Sequence, residues 1–267
     1  MAKSSATLKR LEDIKGFLID LDGVIYSKGK PVPGAVETVH WLKNKGVPYR
    51  FVSNTSVISR HSVVNNMKAM GFEVEEREVI TAAYVTAQYI RSKGNVSVLL
   101  LAYDDVRKDF AGIRFDSEKP DYVIIGSRDD GYGYESLRKA FNCIYNGAKF
   151  IAIHKNRIWM RPDGLTMGVG AYVNMLEYAT NVNAITIGKP EKEFFHQALI
   201  DLNLDPVNVA MLGDDLESDI QGAQNTGMKG IFALSGKYNR SDCAKLNVKP
   251  DLIIDDISDI RKLLVFP

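Results

Sequence analysis

The sequence predicts an α/β fold with a mostly parallel sheet, and three observations carry that reading. Short β-branched and apolar runs alternate with amphipathic helical segments along the whole chain, the order that gives parallel strands joined by crossover helices. Several runs are apolar at consecutive positions, as in strands covered on both faces. Acidic and small polar residues gather directly after those runs, at the edge where open α/β sheets bind ligands.

The elements follow in order. Phe17–Leu21 is a short buried strand. Ala35, Val39 and Leu42 fall on one helical face, and Gly46 stops that helix. Val47–Val52 is a second strand, and a helix carrying Val63, Met67 and Met70 ends at Gly71. The pattern then restarts with a helix near 81–93 and strands at Val96–Leu101 and Tyr122–Ile125. A helix with Leu137, Phe141 and Ile144, a strand at Phe150–Ile153 and a helix near 170–180 follow. Ile185–Ile187, Asn208–Leu212, Gly230–Leu234 and Leu252–Ile254 read as further strands, with helices at Phe195–Leu202 and Asp219–Thr226 between them.

Composition bounds the function. At about 150 residues per domain, 267 residues make two domains or one large one. Apolar residues at 45% and charged residues at 25% exclude wholesale disorder. Thirty-four Lys and Arg against 33 Asp and Glu leave no global field for nucleic acid or an anionic membrane. Cys143 and Cys243 form neither a disulfide framework nor a zinc spacing. Charge interrupts the N-terminal segment, and the most apolar run, Val96–Tyr103, is too short to span a bilayer. The expected location is the cytoplasm.

Four motifs carry chemistry. In Asp20-Leu21-Asp22-Gly23-Val24, two carboxylates at a strand end can point into one crevice. Unpaired they raise each other's pKa, so such a pair implies a bound cation; the plainer reading is an Asp-Gly turn. Ser53-Asn54-Thr55-Ser56 suits a phosphate cradle, and equally a helix N-cap. In Ile187-Gly188-Lys189-Pro190-Glu191, Lys189 extends from just before a helix whose first position suits Pro190. In Gly213-Asp214-Asp215-Leu216-Glu217-Ser218-Asp219, acid crowds a buried strand end. Such crowding is costly without a metal or a basic partner, and carboxylates without His or Cys suit Mg²⁺.

Together, in this order, the four motifs resemble the haloacid dehalogenase superfamily, in its NagD-like branch with an α/β cap. Ile151-Ala152-Ile153-His154-Lys155-Asn156-Arg157, Asp163-Gly164-Leu165, Leu176-Glu177-Tyr178-Ala179-Thr180 and Gly236-Lys237-Tyr238 resemble one subgroup of that branch. The resemblance implies a doubly wound, Rossmann-like parallel sheet core with an inserted α/β cap. The 136 positions from Ser53 to Lys189 far exceed one crossover helix. The expected division is therefore a discontinuous core, 1–79 and 185–267, around a cap at 80–184 that closes over the site.

The resemblance also implies roles. Asp20 is the nucleophile that becomes an aspartyl-phosphate, and Asp22 is the general acid and base. Mg²⁺ is held by Asp20, the Asp22 backbone carbonyl and Asp214, with Asp215 and Asp219 orienting its waters. Ser53, Asn54 and Lys189 hold the phosphoryl oxygens. His154, Lys155 and Asn156 stand where the family places its specificity loop. The expected substrate is a small phosphorylated metabolite, and a homodimer follows by analogy. Two other readings stay open at this point: a non-catalytic phosphoryl sensor on the same scaffold, and a phosphomutase using the same Asp pair.

Overall fold

The computed structural model describes residues 13–128, 130–161 and 164–263. Asp163, quoted above, lies outside them. The described chain forms two units. The first takes in residues through Ser53, Asn66–Ile80, and the chain from Lys189 on; the second takes in Asn54–Asn65 and Thr81–Gly188.

The first unit is built on a six-stranded sheet. Its order is Leu252–Ile254, Lys229–Ala233, Val209–Gly213, Gly16–Asp20, Tyr49–Ser53 and Val79–Thr81. All five residues of Gly16–Asp20 are buried, which explains their unbroken apolar run. This strand pairs in parallel with both Val209–Gly213 and Tyr49–Ser53, so that Ile19 lies opposite Leu212 and Phe51. From Gly16–Asp20 the chain moves outward to Val79–Thr81, and later fills the other side from Val209–Gly213 to Leu252–Ile254. The sheet is thus doubly wound about its central strand, which places a ligand-binding switch point at that strand's carboxyl end. Because the paired strands are parallel, Asp20, Ser53 and Gly213 all end at one edge.

Local chemistry sets the helices of this unit. Ala35–Asn44 buries Ala35, Thr38, Val39 and Leu42, an i, i+3, i+4, i+7 stripe. It ends at Gly46, whose φ of 64° is left-handed, the conformation that glycine adopts without a Cβ penalty. The expected helix Asp219–Thr226 is replaced by a wide π-helical turn, Leu216–Gln221, running into a short helix, Gly222–Asn225. The cause is local: the Ile220 N–H reaches back to the Asp215 carbonyl at 3.2 Å, five residues away. The helix after Lys189 begins at Lys192, with Pro190 outside it and the Lys189–Pro190 peptide cis.

The second unit has its own five-stranded parallel sheet. Its order is Ile185–Thr186, Lys149–Ala152, Tyr122–Ile125, Ser97–Leu101 and Arg114–Phe115. Val123, Ile125 and Phe150 pack with Ile144, Val173 and Leu176 of the helices Tyr134–Tyr145 and Gly170–Thr180. The antiparallel hairpin Ile158–Arg161 and Gly164–Met167 was not legible in the sequence, because neither Leu165 nor Met167 is buried. Residues 54–65 join this unit, whereas the sequence reading put them with the core. Ser56, Ser59 and Arg60 explain the difference, each being bonded to Ser127, Asp105 or Asp109 of the second unit.

Candidate active site

Parallel register brings distant acids to one strand edge of the first unit. Asp20 closes the central strand and is 6% exposed. Asp214 follows the neighbouring strand, and Asp219 rides back on the π-helical turn. One carboxylate oxygen from each of these three lies within 4.8 Å of the others, and all three residues are buried. Glycines make the close approach fit: a Cβ on Gly213 would fall on the Asp219 side chain, and one on Gly23 or Gly236 would fall on Asp214.

Lys189 is threaded into this cluster. It is 2% exposed, with Nζ 2.5 Å from Asp20 Oδ1 and 2.6 Å from Asp219 Oδ1, and it reaches the Val52 carbonyl at 3.5 Å. Burial alone lowers its pKa, but the charges of Asp20 and Asp219 more than reverse this and hold the ammonium charged. Two of the three carboxylates therefore share this ammonium, and Asp214 has no part in it. Burial pushes Asp20 up to about 6 despite Lys189, with the Asp22 charge adding to the rise. Burial likewise pushes Asp219 up to about 7 against the pull of Lys189, and lifts Asp214 well above its usual range, helped by Asp20 and Asp219. With every carboxylate ionised, two negative charges stay uncompensated. An all-oxygen donor set carrying that excess fits a hard divalent cation.

The remaining acids divide. Asp22 lies exposed on the turn after the central strand, where the protein around it still disfavours its charge and raises it to about 6. Asp215 stands apart from the three-carboxylate cluster. Its Oδ1 accepts the N–H groups of Glu217 and Ser218, both at 3.0 Å, and its Oδ2 accepts from Lys237 Nζ at 2.7 Å. Burial raises Asp215, but Lys237 and these N–H groups bring it below the usual carboxylate range. Asp219, expected only to orient waters, is a member of the cluster itself.

Sequence reasoning gave no role to two residues beside these acids. Lys237 donates its backbone N–H to Asp214 Oδ2 at 2.6 Å. The Tyr26 phenol is pushed well up by burial and by the charges of Asp22 and Asp20. Gly236-Lys237-Tyr238 was visible as a motif, but nothing local linked it to acids more than 20 positions away.

Ser53 is buried at its strand end in the first unit. Asn54 belongs to the second unit, where its Nδ2 donates to Asn156 Oδ1 at 2.8 Å. Gly188 makes room for it: a Cβ there would sit 2.5 Å from Asn54 Oδ1. His154 is buried, not a surface loop residue. Its Nε2 meets Ser56 Oγ at 3.1 Å and Ser127 Oγ at 2.9 Å, and its Nδ1 meets Asn156 Oδ1 at 3.0 Å. Lys155 pairs with Glu177 at 2.6 Å. The structure thus joins Asn54, His154 and Asn156 in one network and places Lys155 in a separate ion pair.

Comparison with known proteins defines the class. Residues 17–116 match the haloacid dehalogenase-like hydrolase family, and residues 186–260 match a HAD-hydrolase-like family. The chain belongs to the haloacid dehalogenase-like hydrolases, as a phosphatase of the NagD-like branch. It is 39% identical to haloacid dehalogenase-like hydrolase domain-containing protein 2 of Mus musculus, over 90% of this chain and 91% of that protein. It is 35% identical to the phospholysine phosphohistidine inorganic pyrophosphate phosphatase of Danio rerio, over 96% of each. Among solved structures, a p-nitrophenyl phosphatase from Archaeoglobus fulgidus superposes with a TM-score of 0.89 at 31% identity, over 94% of this chain and 100% of that one. NagD from E. coli K-12 superposes with a TM-score of 0.82 at 25% identity, over 92% of this chain and 98% of that one. Among the described residues, no helix is long and apolar enough to cross a membrane.

Proposed function

We propose that the protein is a Mg²⁺-dependent phosphatase that hydrolyses small phosphomonoesters through an aspartyl-phosphate on Asp20. The observation that carries this reading is the buried cluster of Asp20, Asp214 and Asp219 around Lys189, with its two excess negative charges. Asp20 and Asp214, with the Asp22 carbonyl and Asp219 beside them, would hold the cation. When bound, Mg²⁺ supplies positive charge that neutralises the phosphoryl oxygens.

The chain's own groups do the rest. Lys189 holds Asp20 Oδ1, and the other carboxylate oxygen of Asp20 attacks phosphorus. As that P–O bond forms, the ester P–O bond breaks, and the Asp22 carboxyl gives its proton to the departing oxygen. Asp22, now a carboxylate, takes a proton from water whose oxygen attacks the phosphoryl group. The bond to Asp20 breaks, which releases orthophosphate and restores both aspartates to their starting states. A group near 6 can serve as acid and then as base close to neutral pH. Ser53 and Lys189 of the first unit steady the phosphoryl oxygens; within the second unit, His154 and Asn156 orient the Asn54 amide.

The relatives named as phosphatases support small phosphorylated substrates. The test is turnover of p-nitrophenyl phosphate with Mg²⁺ and with EDTA, by wild type and by Asp20→Asn. Turnover that needs Mg²⁺ and vanishes in Asp20→Asn is expected. Undiminished activity in the variant overturns the assignment of Asp20.

A further inference from the structure

We propose that Lys237 sets the charge of the cation site, cancelling Asp215 so that the site is matched to a divalent ion. This rests on the Mg²⁺ reading above and extends it to a residue that the reading does not use.

Asp215 adjoins Asp214 in the chain, yet both of its oxygens are engaged by donors of the protein. Oδ1 caps the π-helical turn through the N–H groups of Glu217 and Ser218, and Oδ2 receives the Lys237 ammonium at 2.7 Å. Both members of this pair are nearly enclosed, their side chains 11% and 10% exposed. Solvent therefore screens the pair poorly, and the cancellation is felt next door. The ammonium is also positioned by the Tyr238 ring, 4.8 Å away, whose hydroxyl donates to Glu217 Oε2 at 3.1 Å. The Lys237 contact to Asp214 is through the backbone N–H, which a side-chain substitution leaves in place. The side chain thus governs charge, while the main chain governs the aim of Asp214.

Removing the ammonium adds one uncancelled negative charge beside the cluster. Any cation held there then binds more tightly, and a trivalent ion gains half as much again as a divalent one. A purely structural lysine gives a different signature, weakening both ions together.

The experiment measures Mg²⁺ and Tb³⁺ affinity by calorimetry and sensitised Tb³⁺ luminescence, at one fixed pH, for wild type, Lys237→Met and Lys237→Met/Asp215→Asn. In Lys237→Met the ratio of Tb³⁺ to Mg²⁺ affinity is expected to rise by about tenfold or more. The double variant removes the freed charge, while Asn keeps an oxygen for the cap, and its ratio is expected to return to that of wild type. An unchanged ratio in Lys237→Met, or equal losses of both affinities, overturns the inference while the Mg²⁺ reading stands. Failure of the wild type to bind Mg²⁺ overturns the Mg²⁺ reading and the inference with it.

Discussion

Replacing Lys189 by Met is the sharpest test of how the site is balanced. Met keeps much of the length of the side chain, so the perturbation is electrostatic rather than a cavity. Lys189 is 2% exposed and is the ammonium that Asp20 and Asp219 share. Removing one partner of a buried pair costs about 3–5 kcal/mol, because the other is left charged and dry. That cost requires ionised carboxylates. Asp20 and Asp219 sit at about 6 and about 7. At pH 5 both therefore carry protons and the loss shrinks, whereas at pH 8 it is felt in full. The Lys189 pKa is raised further above its ordinary value on folding, so the lysine itself stays charged across this whole range and the pH dependence comes from its carboxylate partners. The lysine loses its proton only in strong alkali.

The assay is guanidinium unfolding in EDTA at both pH values. Trp159→Phe serves as the background, since the chain has two tryptophans and Trp41 then reports the helix Ala35–Asn44 of the first unit. A loss of about 3–5 kcal/mol at pH 8 and under about half of that at pH 5 is expected. A loss below about 1 kcal/mol at pH 8, or one equal at both pH values, would falsify the balance described here.

Two further outcomes follow from the same geometry. Asp22→Asn is expected to release about one p-nitrophenolate per chain in a burst and then slow by roughly 10²–10⁴-fold. That leaving group needs no proton, while the second step loses its base; rapid-quench or stopped-flow absorbance reads the burst, and steady slow turnover without one refutes the role. Metal-free wild type should also lose stability as pH rises from about 4 through 7, because the cluster carboxylates bind protons more tightly folded than unfolded. Saturating Mg²⁺ displaces those protons, so at about 100 times its Kd it should add about 2.7 kcal/mol near pH 8 and much less near pH 5. Thermal melts with EDTA or Mg²⁺ at the two pH values check this, and equal Mg²⁺ shifts at both would sink it.

Legibility in the sequence tracked locality. Gly16–Asp20, Ser97–Leu101 and Tyr122–Ile125 were readable because each is an apolar run buried along most or all of its length. Arg114–Phe115 was not, having two exposed residues and no periodicity to detect. The expected helix at Asp219 failed for a related reason. Asp215 and the backbone at Ile220 impose a wide turn that helical propensity does not encode. The burial of His154 was not legible, because its partners Ser56 and Ser127 lie 98 and 27 positions away.

The sequence by itself determined which residue types stand at which strand ends: the Asp20 and Asp22 pair, Ser53, Lys189 and the acids from Asp214 to Asp219. That information is local, since an apolar run followed by acid can be read from adjacent positions. Only the tertiary structure decided how the charges are shared. It gave Lys189 to Asp20 and Asp219, across 169 and 30 positions, and Lys237 to Asp215, across 22. Parallel pairing joins strands that are distant in the chain, and Coulomb energies depend on the resulting distances and burial. A sequence names the charges, and folding decides which of them cancel.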